Sequence, residues 1–160
     1  MFKKGFDSSR MIIRPMTTDD VNTFCFLFHR VFSQEPWNEN WSASKLHACI
    51  TKQMKKKGFI GMAASTPRIT IGYLTGFRLL SVSPIFYIDQ LFVSTDYQGL
   101  QIGKRLLAQT ERHLKNIGIS HIILLTKPGS YVENFYVKNR YKPFLSPVRI
   151  RGKSFFLKSI

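Results

Sequence analysis

Between Gly58 and Ser94 the chain carries three strand signals in succession with very short joins, and no other feature restricts its fold as tightly. "FIGMAAS", "RITIGYLTGFRLL" and "IFYIDQLFVS" are rich in β-branched and aromatic residues, and they are separated only by a turn at Pro67 and one at Ser83 and Pro84. Joins this short connect antiparallel neighbours, because a parallel crossover needs a dozen residues or more. The middle of the chain is therefore an antiparallel meander.

The flanks supply helices and further strands. "MIIRPM" is a short strand ended by Pro15, and Thr17 or Thr18 can cap the helix that follows, with Asp19 and Asp20 in its first turn. Val21, Phe24, Leu27, Phe28, Val31 and Phe32 recur at helical spacing and give this helix a strong apolar face. "SQEPWNENWS" breaks the pattern, after which Ser42 can cap a second helix running to about Lys57 and ended by Gly58. Trp37 and Trp41 in the joining loop either form a wall facing a ligand or fill the gap between the helices. After the meander, Ile102, Leu106, Leu107, Thr110, Leu114 and Ile117 mark the inner face of a helix that stops at Asn116 and Gly118. "HIILLT" is a buried strand, "YVENFYVKN" a short helix, and the tail adds one or two strands. The order β, α, α, β, β, β, α, β, α, β, β predicts an α/β fold, a mixed sheet with helices packed on it, in a single domain over residues 1–160. Residues 1–10 are read as a basic lead-in to it.

Charge narrows the partners. The chain has 160 residues, with 24 Lys and Arg against nine Asp and Glu, a formal +15, which favours an anionic partner. No acid follows Glu133, whereas Lys138, Arg140, Lys142, Arg149, Arg151, Lys153 and Lys158 do. In a strand, Arg149, Arg151, Lys153 and Phe155 would share one face, able to meet RNA, an acidic protein or a phosphorylated ligand, or simply to protect an edge. No apolar run of signal-peptide or membrane-spanning length is present, so a cytoplasmic protein without membrane contact is expected, as monomer or homodimer. Cys25 and Cys49 read as buried free thiols. Neither they nor His29, His47, His113 and His121 have partners at metal-ligand spacing, so no metal is expected.

The turn "YQGLQIGKR" enters a helix, where unpaired N–H groups and the positive end of the helix dipole suit a phosphate. A nucleotide P-loop is excluded by spacing, since three residues separate Gly99 from Gly103 and Arg105 follows Lys104. A dinucleotide fingerprint lacks its third glycine. The turn instead resembles the pyrophosphate-binding motif of the GNAT family of N-acetyltransferases: Gln or Arg, two variable residues, Gly, one variable residue, then Gly or Ala. Gln98 and Gly103 match its ends, and Gln101 stands where the family has its first glycine. "IFYIDQLFVSTDYQG" is similar to the strand that leads into that motif and "NFYVKNRYKPF" to the family's Phe-Tyr helix and the strand after it, although Arg140 stands where a glycine is usual. "EPWNENWS" with its flanking helices is similar to the opening region. The resemblance spans about residues 11 to 157.

That resemblance implies a mostly antiparallel sheet with helices on both faces and two central strands splayed apart to admit acetyl-CoA. It implies main-chain contacts from Leu91, Phe92 and Val93 to the pantetheine. It further implies contacts from Gln98, Gly99, Leu100, Gln101, Ile102, Gly103 and Lys104 to the pyrophosphate, with Asn134 as a further cofactor contact. Lys104 and Arg105 either add phosphate-binding charge or form a basic helix face.

Acetyl transfer to an amine needs a base, because an amine with a pKa near 10 is mostly ammonium at neutral pH, and an acid for the departing thiolate. By the resemblance Tyr136 is the acid, with Tyr131 as its rival and a core tyrosine that serves only packing as the alternative. Asp89, an acid inside an apolar strand, is either the base or a buried carboxylate satisfied by nearby donors. Glu35 and Glu39, beside Trp37 and Trp41, are the alternatives for base or for recognition of the acceptor ammonium. The expected function is acetyl-CoA-dependent N-acetylation of a small amine or a peptide or protein amine by direct attack in a ternary complex. A polycationic drug would want more acids than this chain supplies, and the net charge favours an anionic or RNA-associated acceptor. The alternative is a weakly catalytic or non-catalytic module of the same fold that binds acyl-CoA and an anionic partner.

Overall fold

The computed structural model describes residues 10–35, 37–80, 83–144 and 152–160. Its elements follow the predicted order: β1 (Ile12–Pro15), α1 (Val21–Phe32), α2 (Ala43–Met54), β2 (Phe59–Ser65), β3 (Thr70–Arg78), β4 (Ile85–Val93), α3 (Ile102–Asn116), β5 (His121–Thr126), α4 (Tyr131–Lys138), β6 (Lys142–Pro143) and β7 (Ser154–Ser159). The strands form one sheet in the order β1-β2-β3-β4-β5-β7-β6, antiparallel throughout except for the β4–β5 pair. The meander is thus the left half of the sheet, and α3 is the crossover that makes β5 parallel to β4.

Local chemistry explains the helix boundaries. A 3-10 turn, Thr18–Asp20, precedes α1, and the Asp20 carboxylate accepts the Thr17 backbone N–H at 2.8 Å. Asp20 also takes both arms of Arg14 at 2.7 Å and the Tyr73 hydroxyl at 3.2 Å, tying β1, the turn and β3 together. Ser42 caps α2 through the Lys45 N–H, and α2 ends at Met54, three residues before the expected limit. Ile117, expected on the inner face of α3, lies past the helix end and is exposed.

Two apolar layers clad the sheet. On one face α1 and α2 bury Phe24, Phe28, Phe32 and Ile50 against Ala63, Tyr73 and Phe92; on the other, α3 and Tyr136 of α4 pack on Ile71, Leu74, Phe86 and Ile122. Phe92 meets Phe24, Phe28 and Phe32 edge-on at 5.1, 5.8 and 5.7 Å between ring centres. A buried aromatic of this kind contributes about 1.5–3 kcal/mol by burial, and the edge-on contacts add to it. Cys25 and Cys49 are free, half-buried thiols.

The sheet opens between β4 and β5. These strands pair only from Ile85 opposite His121 to Ile88 opposite Leu124. Beyond that point Leu125 and Thr126 stay with β7, while Gln90 to Val93 stay with β3. Register shifts at the same place: Thr75 faces Gln90 and Gly76 faces Ile88, so Asp89 is the extra residue of a bulge. Gly76 allows it, since a Cβ there would lie 2.2 Å from the Tyr87 carbonyl oxygen.

Candidate active site

The open half of the sheet is a cavity of about 800 Å³, walled by β4 from Asp89 to Val93, the turn before α3, the end of β5 and one side of α4. The turn leaves backbone N–H groups open at the start of α3. Gln98 donates its side-chain N–H to the Val93 carbonyl at 3.0 Å, fixing the turn to the end of β4. Gly99 and Gln101 both have positive φ, 82° and 62°, and the first helical hydrogen bond runs from Arg105 N–H to the Gln101 carbonyl at 3.0 Å. The N–H groups of Ile102, Gly103 and Lys104 therefore precede any helical acceptor and remain available at the positive end of α3. Gln101 holds the left-handed conformation that glycine adopts without cost, so the sequence departure at this position preserves the backbone shape. Leu100 turns the other way and packs on the core.

Next to the turn, the unpaired edges of β4 and β5 leave main-chain groups facing the cavity. Because the Phe92 ring is committed to the α1 layer, that residue presents its backbone here, and Leu91 and Val93 flank it in the wall.

Asp89 sits in the wall where the splay begins, and Gln53 of α2 donates to its Oδ2 at 3.4 Å. Burial pushes its carboxyl upward, against the Gln53 bond and the charges of Lys153 and Lys56, with a net rise. Tyr136 enters the wall from α4. It is buried, packed between Phe135, Tyr141 and Phe156, and its hydroxyl has no hydrogen-bond partner among the described residues. Burial, and then the neighbouring Tyr87, push its pKa well above the ordinary phenol value, so it keeps its proton at neutral pH. The cavity thus offers an O–H donor without a partner among the described residues and a carboxylate whose proton affinity is raised, both beside a turn with open N–H groups. Tyr131 also reaches the wall but is largely exposed.

The remaining expected residues divide. Trp37 and Glu39 line the cavity, Trp37 edge-on against Phe32 at 5.6 Å and Glu39 accepting the Trp41 indole N–H at 2.9 Å. Trp41 itself is 40% exposed and leans on Phe28 from outside the wall. Glu35 is exposed and accepts from Asn38 at 2.6 Å. Asn134 is exposed and absent from the wall, where Asn139 from the end of the same helix appears instead. In the basic tail Lys153 joins the wall and the Phe155 ring lies tilted against Phe144, while Arg149 and Arg151 lie outside the described residues. Sequence reasoning missed Gln53 of α2, whose amide meets Asp89, and Lys56, two residues past that helix, whose charge acts on the same carboxylate, and no local pattern marks them.

The acetyltransferase (GNAT) family matches residues 20–140, and the chain belongs to that family of N-acetyltransferases, whose acyl donor is acetyl-CoA. Solved structures agree on the fold. The PaiA N-acetyltransferase of Thermoplasma acidophilum in complex with coenzyme A superposes with a TM-score of 0.78 at 20% identity, covering 94% of this chain and 99% of that one. An aminoglycoside 6'-N-acetyltransferase complexed with coenzyme A gives 0.75 at 16% identity over 92% and 96%. The ribosomal-protein-S18-alanine N-acetyltransferase of Escherichia coli gives 0.71 at 12% over 94% and 92%. No protein of curated function matches the chain in sequence.

Proposed function

We propose that this protein transfers an acetyl group from acetyl-CoA to a primary amine by direct attack within a ternary complex, with Asp89 as the base and Tyr136 as the acid. The observation that carries the reading is that both groups open into the one cavity that also contains the turn of residues 98–104. Gln98, Gly99, Gln101, Ile102, Gly103 and Lys104 hold the pyrophosphate through main-chain N–H groups and the charge of Lys104, and Leu91 to Val93 offer a strand edge to the pantetheine. When bound, acetyl-CoA supplies the acyl group already activated as a thioester.

Asp89 takes a proton from the incoming ammonium, directly or through water, and its raised proton affinity suits that task. The freed nitrogen forms the new C–N bond as the C–S bond breaks, and the acylated nitrogen sheds its surplus proton to solvent to become the neutral amide. Tyr136 Oη, protonated and without another acceptor, gives its proton to the departing sulfur and is later reprotonated from solvent. Trp37 and Glu39 form the acceptor side, and the protein acts in the cytoplasm. Among the described residues no helix is long and apolar enough to cross a membrane.

Thiol release from acetyl-CoA over a panel of amines tests the reading. Tyr136→Phe should lower turnover by about 10² or more, the usual worth of an acid catalyst, while the rise in melting temperature caused by acetyl-CoA is kept. Unchanged turnover in that variant would remove Tyr136 from the mechanism, and the absence of any acetyl-CoA shift in the wild type would favour a binding module with another ligand.

A further inference from the structure

The acceptor side of the cleft carries a charge pattern that the pyrophosphate turn does not explain. Two lysines add positive charge around Asp89, Lys153 from the cavity wall and Lys56 from outside it. Lys56 lies three residues beyond Gln53, whose amide meets Asp89, and its Nζ stands 5.4 Å over the Phe77 ring. Phe77 is paired across the sheet with Tyr87, two residues before Asp89. Lys153 forms part of the cavity wall just ahead of β7, whose Ser154 pairs with Thr126 at the open end of β5. Both ammonium groups act on the Asp89 carboxylate through space.

Neither lysine has a carboxylate within ion-pair distance among the described residues. The wall has one other carboxylate, Glu39, and it accepts from the Trp41 indole. An amine delivered to Asp89 must therefore place its remaining substituents beside Lys153, in the added positive field of Lys56, with Glu39 the one other acid of the wall. Each extra positive charge on the acceptor meets repulsion there, whereas an anionic substituent gains charge-assisted hydrogen bonds.

We propose that the acceptor is a small amine that also carries an anionic group, a carboxylate or a phosphate, with its nitrogen at Asp89 and its anion held by Lys153 of the cavity wall. The inference rests on the cleft being an acetyltransferase site, and it gives that site a substrate class. The lysines select the acceptor by attraction and exclude polyamines by repulsion, so one charge pattern does both.

The test is calorimetric binding of four probes to the CoA-saturated protein, O-phosphoethanolamine, glycine, ethanolamine and spermidine, run beside thiol release from acetyl-CoA with the same four. At least one anionic amine should bind about tenfold or more tighter than ethanolamine, as expected for a hydrogen bond to a charged group, with spermidine weakest. A lead by O-phosphoethanolamine assigns the phosphate, and a lead by glycine the carboxylate. Lys153→Gln should remove most of that advantage and Lys56→Gln a smaller part, with the CoA-induced rise in melting temperature reporting that the variants are folded. Equal or tighter binding of ethanolamine or spermidine overturns the proposal. So does a Lys153→Gln variant that changes all four acceptors by one factor, since the lysine would then serve only Asp89. Lys153-dependent binding of an anionic amine without thiol release sustains the acceptor class and counts against the Asp89–Tyr136 chemistry; thiol release led by spermidine does the reverse.

Discussion

Gln101 bears a strain that the glycine expected at its position would not. Its φ of 62° and ψ of 9° cost an L-residue about 1–2 kcal/mol, and its side chain, exposed and without a capping hydrogen bond, returns little of it. Gln101→Gly should therefore raise the unfolding free energy by about 1 kcal/mol, read as a higher denaturant midpoint at unchanged slope, the extra flexibility of glycine in the unfolded chain offsetting part of the gain. Asp89 is strained in a different sense. Its carboxyl is pushed above the ordinary value of 3.8 chiefly by burial, so its ionised form opposes folding at neutral pH. Asp89→Asn should raise the melting temperature at pH 7 while lowering turnover. The stability difference should fade as the pH falls to the ordinary carboxylate value, where the wild-type group is neutral as well. A variant less stable than wild type at pH 7 would show that the lysines and Gln53 outweigh the burial.

Among the elements, β4 does most to make the site, and it does so by a local fault. The bulge at Asp89 coincides with the last β4–β5 pair, so the strand turns its extra residue toward the cleft where its edge is released. The neighbouring strand must yield there, and Gly76 does. Gly76→Ala would force a Cβ to within 2.2 Å of a carbonyl oxygen and 2.6 Å of the Phe86 ring, both well below contact. The expected loss is about 2–3 kcal/mol in denaturant unfolding, with a fall in turnover beyond what instability explains, because Asp89 loses its aim. Helix α4 shows how phase decides membership of a site. With Tyr136 turned inward, Asn134 stands about 200° around the helix, on the outer face, whereas Asn139, three residues after Tyr136 at the helix end, returns to the inner one.

At the scale of the whole molecule, the excess of positive charge is partly organised around buried acids. Glu111 accepts both the Tyr141 hydroxyl at 2.9 Å and Lys158 at 2.7 Å, binding α3 to β7. Asp20 holds Arg14 and the start of α1. Burial raises the Asp20 carboxyl, but Arg14 and Thr17 together bring it below 3.8. Its contribution is therefore complete above pH 3.8 and lost as the pH falls through the lower folded value. Asp20→Asn should be less stable than wild type at pH 7, and the gap should narrow in acid unfolding below about pH 4. The element order, the meander, the inner faces of α1 and α3, and the turn of residues 98–104 were all legible in the chain, because each depends on spacing within a few residues or on the length of one connection. The register shift that frees Asp89, the four-residue limit of the β4–β5 pair, the inward phase of α4, and the meeting of Gln53, Lys56 and Lys153 at one carboxylate depend on segments up to a hundred residues apart. Local periodicity carries no record of such meetings, so packing of the whole sheet against its two helical layers decided them.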